Sequence, residues 1–172
     1  MKLIKFFSTI ILILIIGNSY GQNTNSDYYD LRIKKLLDSK DVNYTITKNN
    51  NFRINVITED EPKKRTQAVY VNSATSKWYE YEIREITSTA LQLKKNDVRI
   101  KMLYELLQKN GNIKAGAWEV NEYESDKEFY YLTFSLKVST NINADDLKSL
   151  LFLVANEADR IEKLYGNGND EY

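Results

Sequence analysis

Apolar and polar positions alternate along this chain with a period that changes from segment to segment. Tyr29, Ile33, Leu36 and Leu37 fall on one face at helical spacing, and Asp27 stands where an N-cap belongs. This predicts a first helix ending near Lys40. Val42, Tyr44 and Ile46 then alternate with Asn43, Thr45 and Thr47, and Phe52, Ile54 and Val56 repeat the period of two. Asn49-Asn50-Asn51 lies between them, and asparagine tolerates positive φ, so the pair predicts a tight hairpin. The charged stretch 58–64, with the lone proline Pro62, predicts a loop. A third strand covers 65–72, with Val69 and Val71 on one side and Ala68 and Tyr70 on the other, and a turn follows at 72–76. Residues 78–89 predict a fourth strand, whose alternation slips between Ile83 and Ile86 as a bulge would make it slip.

Asn96 or Asp97 caps a second predicted helix that runs to Lys109, with Val98, Met102, Leu103, Leu106 and Leu107 apolar and Gly111 just past its end. Strands over 113–123 and 128–138 come next, joined by Glu124-Ser125-Asp126-Lys127. In the second, Tyr130, Leu132, Phe134, Leu136 and Val138 form one apolar face, while Thr133, Ser135 and Lys137 make the other polar. A last helix starts at the cap Asn143. It carries Leu147, Leu150, Leu151, Val154, Ala158, Ile161 and Tyr165 on one stripe and stops at Gly166. The order α-β-β-β-β-α-β-β-α predicts an α+β domain over 27–166, an antiparallel sheet with helices packed on one face. A polar tail, 167–172, follows.

Ahead of this domain the pattern differs. Lys2 and Lys5 precede Phe6, Phe7 and an unbroken apolar run at 10–16, and Ser19 and Gly21 then stand at the spacing a signal peptidase reads. Residues 1–21 therefore predict a signal peptide cut before Gln22, with 22–26 a polar leader. The apolar run is well short of the roughly 20 residues that span a bilayer. No cysteine follows to carry a lipid. The expected address is the periplasm or the medium.

Composition narrows the function. Loss of Lys2 and Lys5 from 24 basic side chains leaves 22 against 24 acidic, a net charge of −2 on a mature chain of 151 residues. That balance argues against a nucleic-acid partner. With no cysteine, stability must come from the core rather than from disulfides. With no histidine, His-based acid–base chemistry and most zinc sites are excluded. The dense basic run Lys63-Lys64-Arg65 and the acids Asp145, Asp146, Glu157, Asp159 and Glu162 read as solvated surface. Asn167 to Glu171 lacks the spacing of a calcium loop, and no phosphate-binding or nucleophile-elbow motif occurs.

Three readings remain. Phe152 falls opposite the apolar stripe of the last helix, with Leu153 beside it, and Tyr79, Tyr81 and Tyr131 cluster on strands. These five are the candidate partner-binding residues of a non-catalytic protein-binding domain with no cofactor, metal or catalytic residue. A carboxylate hydrolase acting on envelope glycans would instead need two acids converging in a cleft. A small-ligand or glycan-binding module would need a concave pocket lined by Trp78, Trp118 or tyrosines.

The chain also resembles a known family. Gly116-Ala117-Trp118-Glu119, the stretch Arg65-Thr66-Gln67-Ala68-Val69-Tyr70-Val71, and an ending with Ala155, Ala158-Asp159, Glu162-Lys163-Leu164 and Asp170-Glu171-Tyr172 are similar to the YbjN-like domains, which share the fold of type III secretion chaperones. The resemblance covers nearly all of the mature chain in element order. It implies a helix–sheet–helix domain that works by protein contact, in a group where many relatives pair as homodimers. The cytosolic secretion role does not carry over to a chain with a signal peptide.

Overall fold

Phe52, Ile54 and Val56 occupy every second position of one strand, and all three are buried. The same alternation organises the longer strands and sets the architecture. The computed structural model describes residues 28–58 and 65–166. The expected signal peptide and polar leader, Asp27, the loop expected around Pro62 with Lys63 and Lys64, and the expected tail lie outside the described residues. The elements are α1 (Leu31–Asp38), β1 (Thr45–Ile46), β2 (Phe52–Thr58), β3 (Arg65–Trp78), β4 (Tyr81–Lys94), α2 (Ile100–Asn110), β5 (Ala117–Tyr123), β6 (Asp126–Ser139) and α3 (Ala144–Tyr165). The strands form one open antiparallel sheet in the order β1-β2-β3-β4-β6-β5. The α+β class and element order agree with the sequence pattern.

The longest helix, α3, is capped by Asn143, whose side chain accepts the Asp146 N–H at 2.8 Å. It buries Leu147, Leu151, Val154, Ala158 and Ile161 against the sheet, where Phe52, Val69, Val71, Ile86 and Phe134 meet them. Ile33 and Leu37 of α1 and Met102 and Leu106 of α2 join the same core. Tyr165 of α3 donates to Glu105 of α2 at 2.5 Å, which ties these two helices together. Gly116 opens β5 at φ +85, and a Cβ there would lie 2.6 Å from the Phe134 ring, so only glycine fits.

Several boundaries differ from the pattern. The α1 cap is Asp30, whose carboxylate accepts the Arg32 N–H at 2.8 Å. A short 3-10 turn, Lys95–Asp97, takes the place of the start expected for α2, and the cap position falls to Arg99. Residues 72–76 are strand rather than turn. Register shifts between Val71 and Thr75, opposite Ile86 and Arg84. The irregularity therefore sits where the alternation slips, but the extra residues are on β3. Arg84 is the cause. It takes a core-facing position on β4, and its guanidinium donates to the carbonyls of Asn72 and Ser73 (the latter at 3.0 Å) and to Asp30. Backbone acceptors that the bulge leaves unpaired are thereby satisfied.

Of the two charge clusters in the fold, the first corrects the reading of Arg65, Asp159 and Glu162 as solvated. Asp159 and Glu162 are buried beneath α3. Arg65 on β3 reaches Asp159 at 2.6 Å and Glu162 at 2.8 Å, Gln67 donates to Glu162, and Ser88 reaches Gln67 at 3.2 Å. Near α1, Arg32 grips Glu82 with two hydrogen bonds of 2.7 and 2.8 Å. Thr75 and Thr140 also donate to Glu82, at 2.7 and 3.1 Å. Hydrogen bonds from Arg32 and then Thr75 outweigh partial burial and hold the Glu82 carboxyl at about 2, below the usual 4.5.

Asp159→Ala leaves the buried Arg65 short of a carboxylate, and the expected loss is about 3 kcal/mol by urea unfolding. A loss below about 1 kcal/mol would show that the pair is not desolvated in solution. Because Glu82 has its value lowered on folding, its contribution is whole above pH 4.5 and fades as the pH falls toward 2. Arg32 is half exposed, at 50% against 27% for Glu82. Screening reduces the effect to about 1 kcal/mol. The stability gap between wild type and Glu82→Gln should therefore shrink between pH 5 and pH 2.5. A gap independent of pH would count against this ion pair.

Candidate functional site

Three surfaces of the described residues carry side chains that the core does not need. The first is the tip of the β3–β4 hairpin. Trp78 pairs with Tyr81 across the turn, and their rings stack at 6.1 Å. Tyr79, inside the turn, packs on Trp78 at 5.5 Å and holds φ at 54, a left-handed conformation that costs a bulky residue energy. All three aromatics are exposed. A shallow hollow of about 270 Å³ opens beside them, with Ile83, Lys137, Val138 and Ser139 in its lining. The Arg32–Glu82 pair fastens the base of this tip to α1.

A second surface lies on the outer side of α2. Ile100, Tyr104 and Leu107 stand four and three residues apart, which puts them in one row along the helix. They are 78%, 66% and 65% exposed. Val120, on the same sheet face as the buried Trp118, is exposed at the neighbouring edge strand. The Asn110 side chain accepts the Trp118 N–H at 2.7 Å and donates to its carbonyl at 3.1 Å. This joins the end of α2 to β5 and occupies the edge strand's own hydrogen-bonding groups at that point.

The third surface is the sheet face that α3 leaves open. A cleft of about 740 Å³ crosses it from β2 to β5, and no helix residue lines it. Arg53, Tyr70, Thr87, Thr133, Glu119 and Asn121 stand along its floor, one or two from each strand. Glu85 is held there by Ser135 at 2.7 Å and Asn72 at 3.3 Å. Burial raises the Tyr123 phenol, and the Glu85 carboxylate and Tyr70 phenol add to the shift. Tyr123 on β5 thus feels groups on β4 and β3, which places the two sides of the cleft within electrostatic reach.

The five residues expected to bind a partner do not share one surface. Tyr79 and Tyr81 are at the hairpin tip. Tyr131 lines the cleft, its phenol bonded to Gln92 at 3.0 Å and to Asp126. Phe152 and Leu153 are side by side on the outer face of α3, 39% and 37% exposed. Trp118 is buried against Phe134 at 5.3 Å and lines neither the cleft nor the hollow described above, whereas Trp78 is exposed. Leu107, expected with the apolar side of the second helix, faces outward. The Ile100 row was legible as an i, i+4, i+7 repeat offset from Met102 and Leu106, but the longer apolar run masked it. Among the described residues no metal-binding group of acids converges, and no helix is long and apolar enough to cross a membrane.

No family model, curated protein or solved structure matches this chain. Tyr79→Gly tests whether the tip is retained for stability. Glycine removes the left-handed cost, so the variant should unfold at equal or higher urea, a gain of up to about 1 kcal/mol. A loss above that size would make Tyr79 a structural residue.

Proposed function

We propose that this chain is an exported, non-catalytic protein-binding domain whose partner seats on the outer face of α2. The observation that carries the proposal is the row Ile100–Tyr104–Leu107, three large apolar side chains with most of their surface in water. Helices that end at solvent present polar residues on that side, and a contiguous apolar row marks a contact. Strand addition at β5 is a weaker alternative, because Asn110 already holds the Trp118 backbone groups.

Catalysis by paired carboxylates has less support. Glu85 and Glu119 share the cleft, but Glu85 pairs with Lys137 and Glu119 with Thr133, two strands and four residues apart. Strand spacing puts their Cα atoms roughly 16 Å from each other, with side chains standing off the sheet rather than along it. A hydrolase needs the two carboxyls about 5–10 Å apart. The YbjN-like resemblance supports protein contact as well, since its relatives work that way and many pair. A second copy of the chain is the first partner to test.

Sedimentation velocity should show a species heavier than one chain, and Ile100→Asp with Leu107→Asp should reduce it to the monomer. Substitutions at such exposed sites should change unfolding stability by no more than about 0.5 kcal/mol. If the wild type is monomeric at every concentration, and envelope crosslinking captures the double variant's partners unchanged, the α2 assignment fails. If Phe152→Asp alone disperses the assembly, the contact lies on α3 instead.

A further inference from the structure

The cleft on the open sheet face plays no part in the α2 contact, and its lining has a chemistry of its own. Some of its groups are already engaged. Glu85 is bonded to Ser135 and Asn72, Tyr131 to Gln92 and Asp126, and Thr89 to Thr133 at 3.3 Å. Others are open. Arg53, Tyr70, Thr87, Glu119 and Asn121 make no side-chain hydrogen bond or ion pair with another described residue, although each is half-buried in the cleft. Half-buried polar groups with unused capacity are what a polar ligand would satisfy.

We infer that this cleft binds a neutral, hydroxyl-rich saccharide chain. The open groups supply both halves of a hydroxyl's needs. Arg53 only donates, Glu119 as a carboxylate only accepts, and Tyr70, Thr87 and Asn121 do both. Sugar rings also have apolar C–H faces, and the cleft offers tyrosine rings to cover them. Tyr123 and Tyr131 pack edge-to-face at 4.8 Å, and Tyr70 stands across from them. Charge excludes the other common classes. One arginine faces two glutamates, so no cationic field awaits a phosphate or sulfate, and polar groups on every strand of the floor interrupt the apolar surface a lipid chain would need.

Size and rigidity agree with this assignment. The volume of about 740 Å³ falls within the roughly 300–1,000 Å³ of small-molecule sites. The open groups stand on paired strands rather than on loops, so little order has to be gained on binding. The register brings Arg53, Tyr70 and Thr87 into one row across three strands. Thr89, Thr133 and Glu119 make another.

The test is calorimetric titration of the full chain with chitohexaose, cellohexaose, maltohexaose and laminarihexaose, alongside heparin hexasaccharide as an anionic probe. At least one neutral probe should bind with Kd of about 1 mM or tighter. Tyr70→Ala and Asn121→Ala should each weaken it about tenfold or more, with the unfolding midpoint unchanged. Ile100→Asp should leave saccharide affinity as it is, which separates this site from the protein contact on α2. Failure of all four neutral probes overturns the inference, as does binding that ignores both cleft variants. Preference for the heparin probe overturns it too, because the neutral class would be wrong. Thr87→Val is the variant to use where Tyr70→Ala fails to fold.

Discussion

Burial of one sheet face beneath α3 is the constraint on which the rest of this molecule depends. Strand side chains alternate, so each residue that seats the helix commits its neighbours to the opposite side. Phe52 and Ile54 face α3, and Arg53 between them lines the cleft. Val69 and Val71 do the same for Tyr70, Ile86 and Ser88 for Thr87, and Leu132 and Phe134 for Thr133. A slip of one residue in any strand would put a tyrosine or threonine under the helix and a valine or isoleucine in the cleft. Stability and the polar cleft are two outcomes of a single register.

Polar interactions hold that register where hydrophobicity alone would not. Apolar stripes tolerate sliding, because one aliphatic contact resembles the next. The Arg65–Asp159–Glu162 cluster does not, since its hydrogen bonds have fixed lengths and directions. Desolvating three charges costs much of what their attraction returns, so positioning is a better account of the cluster than net stability. Arg84 has the same place at the other end of the sheet. It bridges Asp30 of the α1 cap to the bulged backbone of β3, and so couples the start of α1 to the β3–β4 hairpin.

Local periodicity was sufficient for most of the fold. The β6 pattern, the α3 stripe with its Asn143 cap, and the Asn50 hairpin turn are all decided by neighbours within a few residues, and each is where the alternation puts it. What could not be read depends on partners far away in the chain. Asp159 looks like a solvated helix acid until Arg65, 94 residues earlier, is folded against it. The slip between Ile83 and Ile86 locates an irregularity, but only the pairing with β3 shows which strand carries it. The cleft was illegible for a related reason. Its residues come from five strands, and none forms a motif with its own neighbours in sequence.

The two proposed contacts use opposite sides of the sheet, so a saccharide in the cleft and a protein on α2 would not compete for space. The most direct link between them runs through β5. That strand gives Glu119 and Asn121 to the cleft, while Trp118 between Ala117 and Glu119 turns to the other face, packs on Phe134 and holds Asn110 of α2. β5 is an edge strand, paired only with β6. Such a strand moves more easily than the centre of the sheet, but Gly116 packed against the Phe134 ring limits how far its start can shift. A small tilt of β5 on ligand binding would bear on α2 through Asn110 as well as on its paired neighbour β6. The tie that closes the sheet edge against strand addition is therefore also a direct hydrogen-bonded link between the cleft strand and α2.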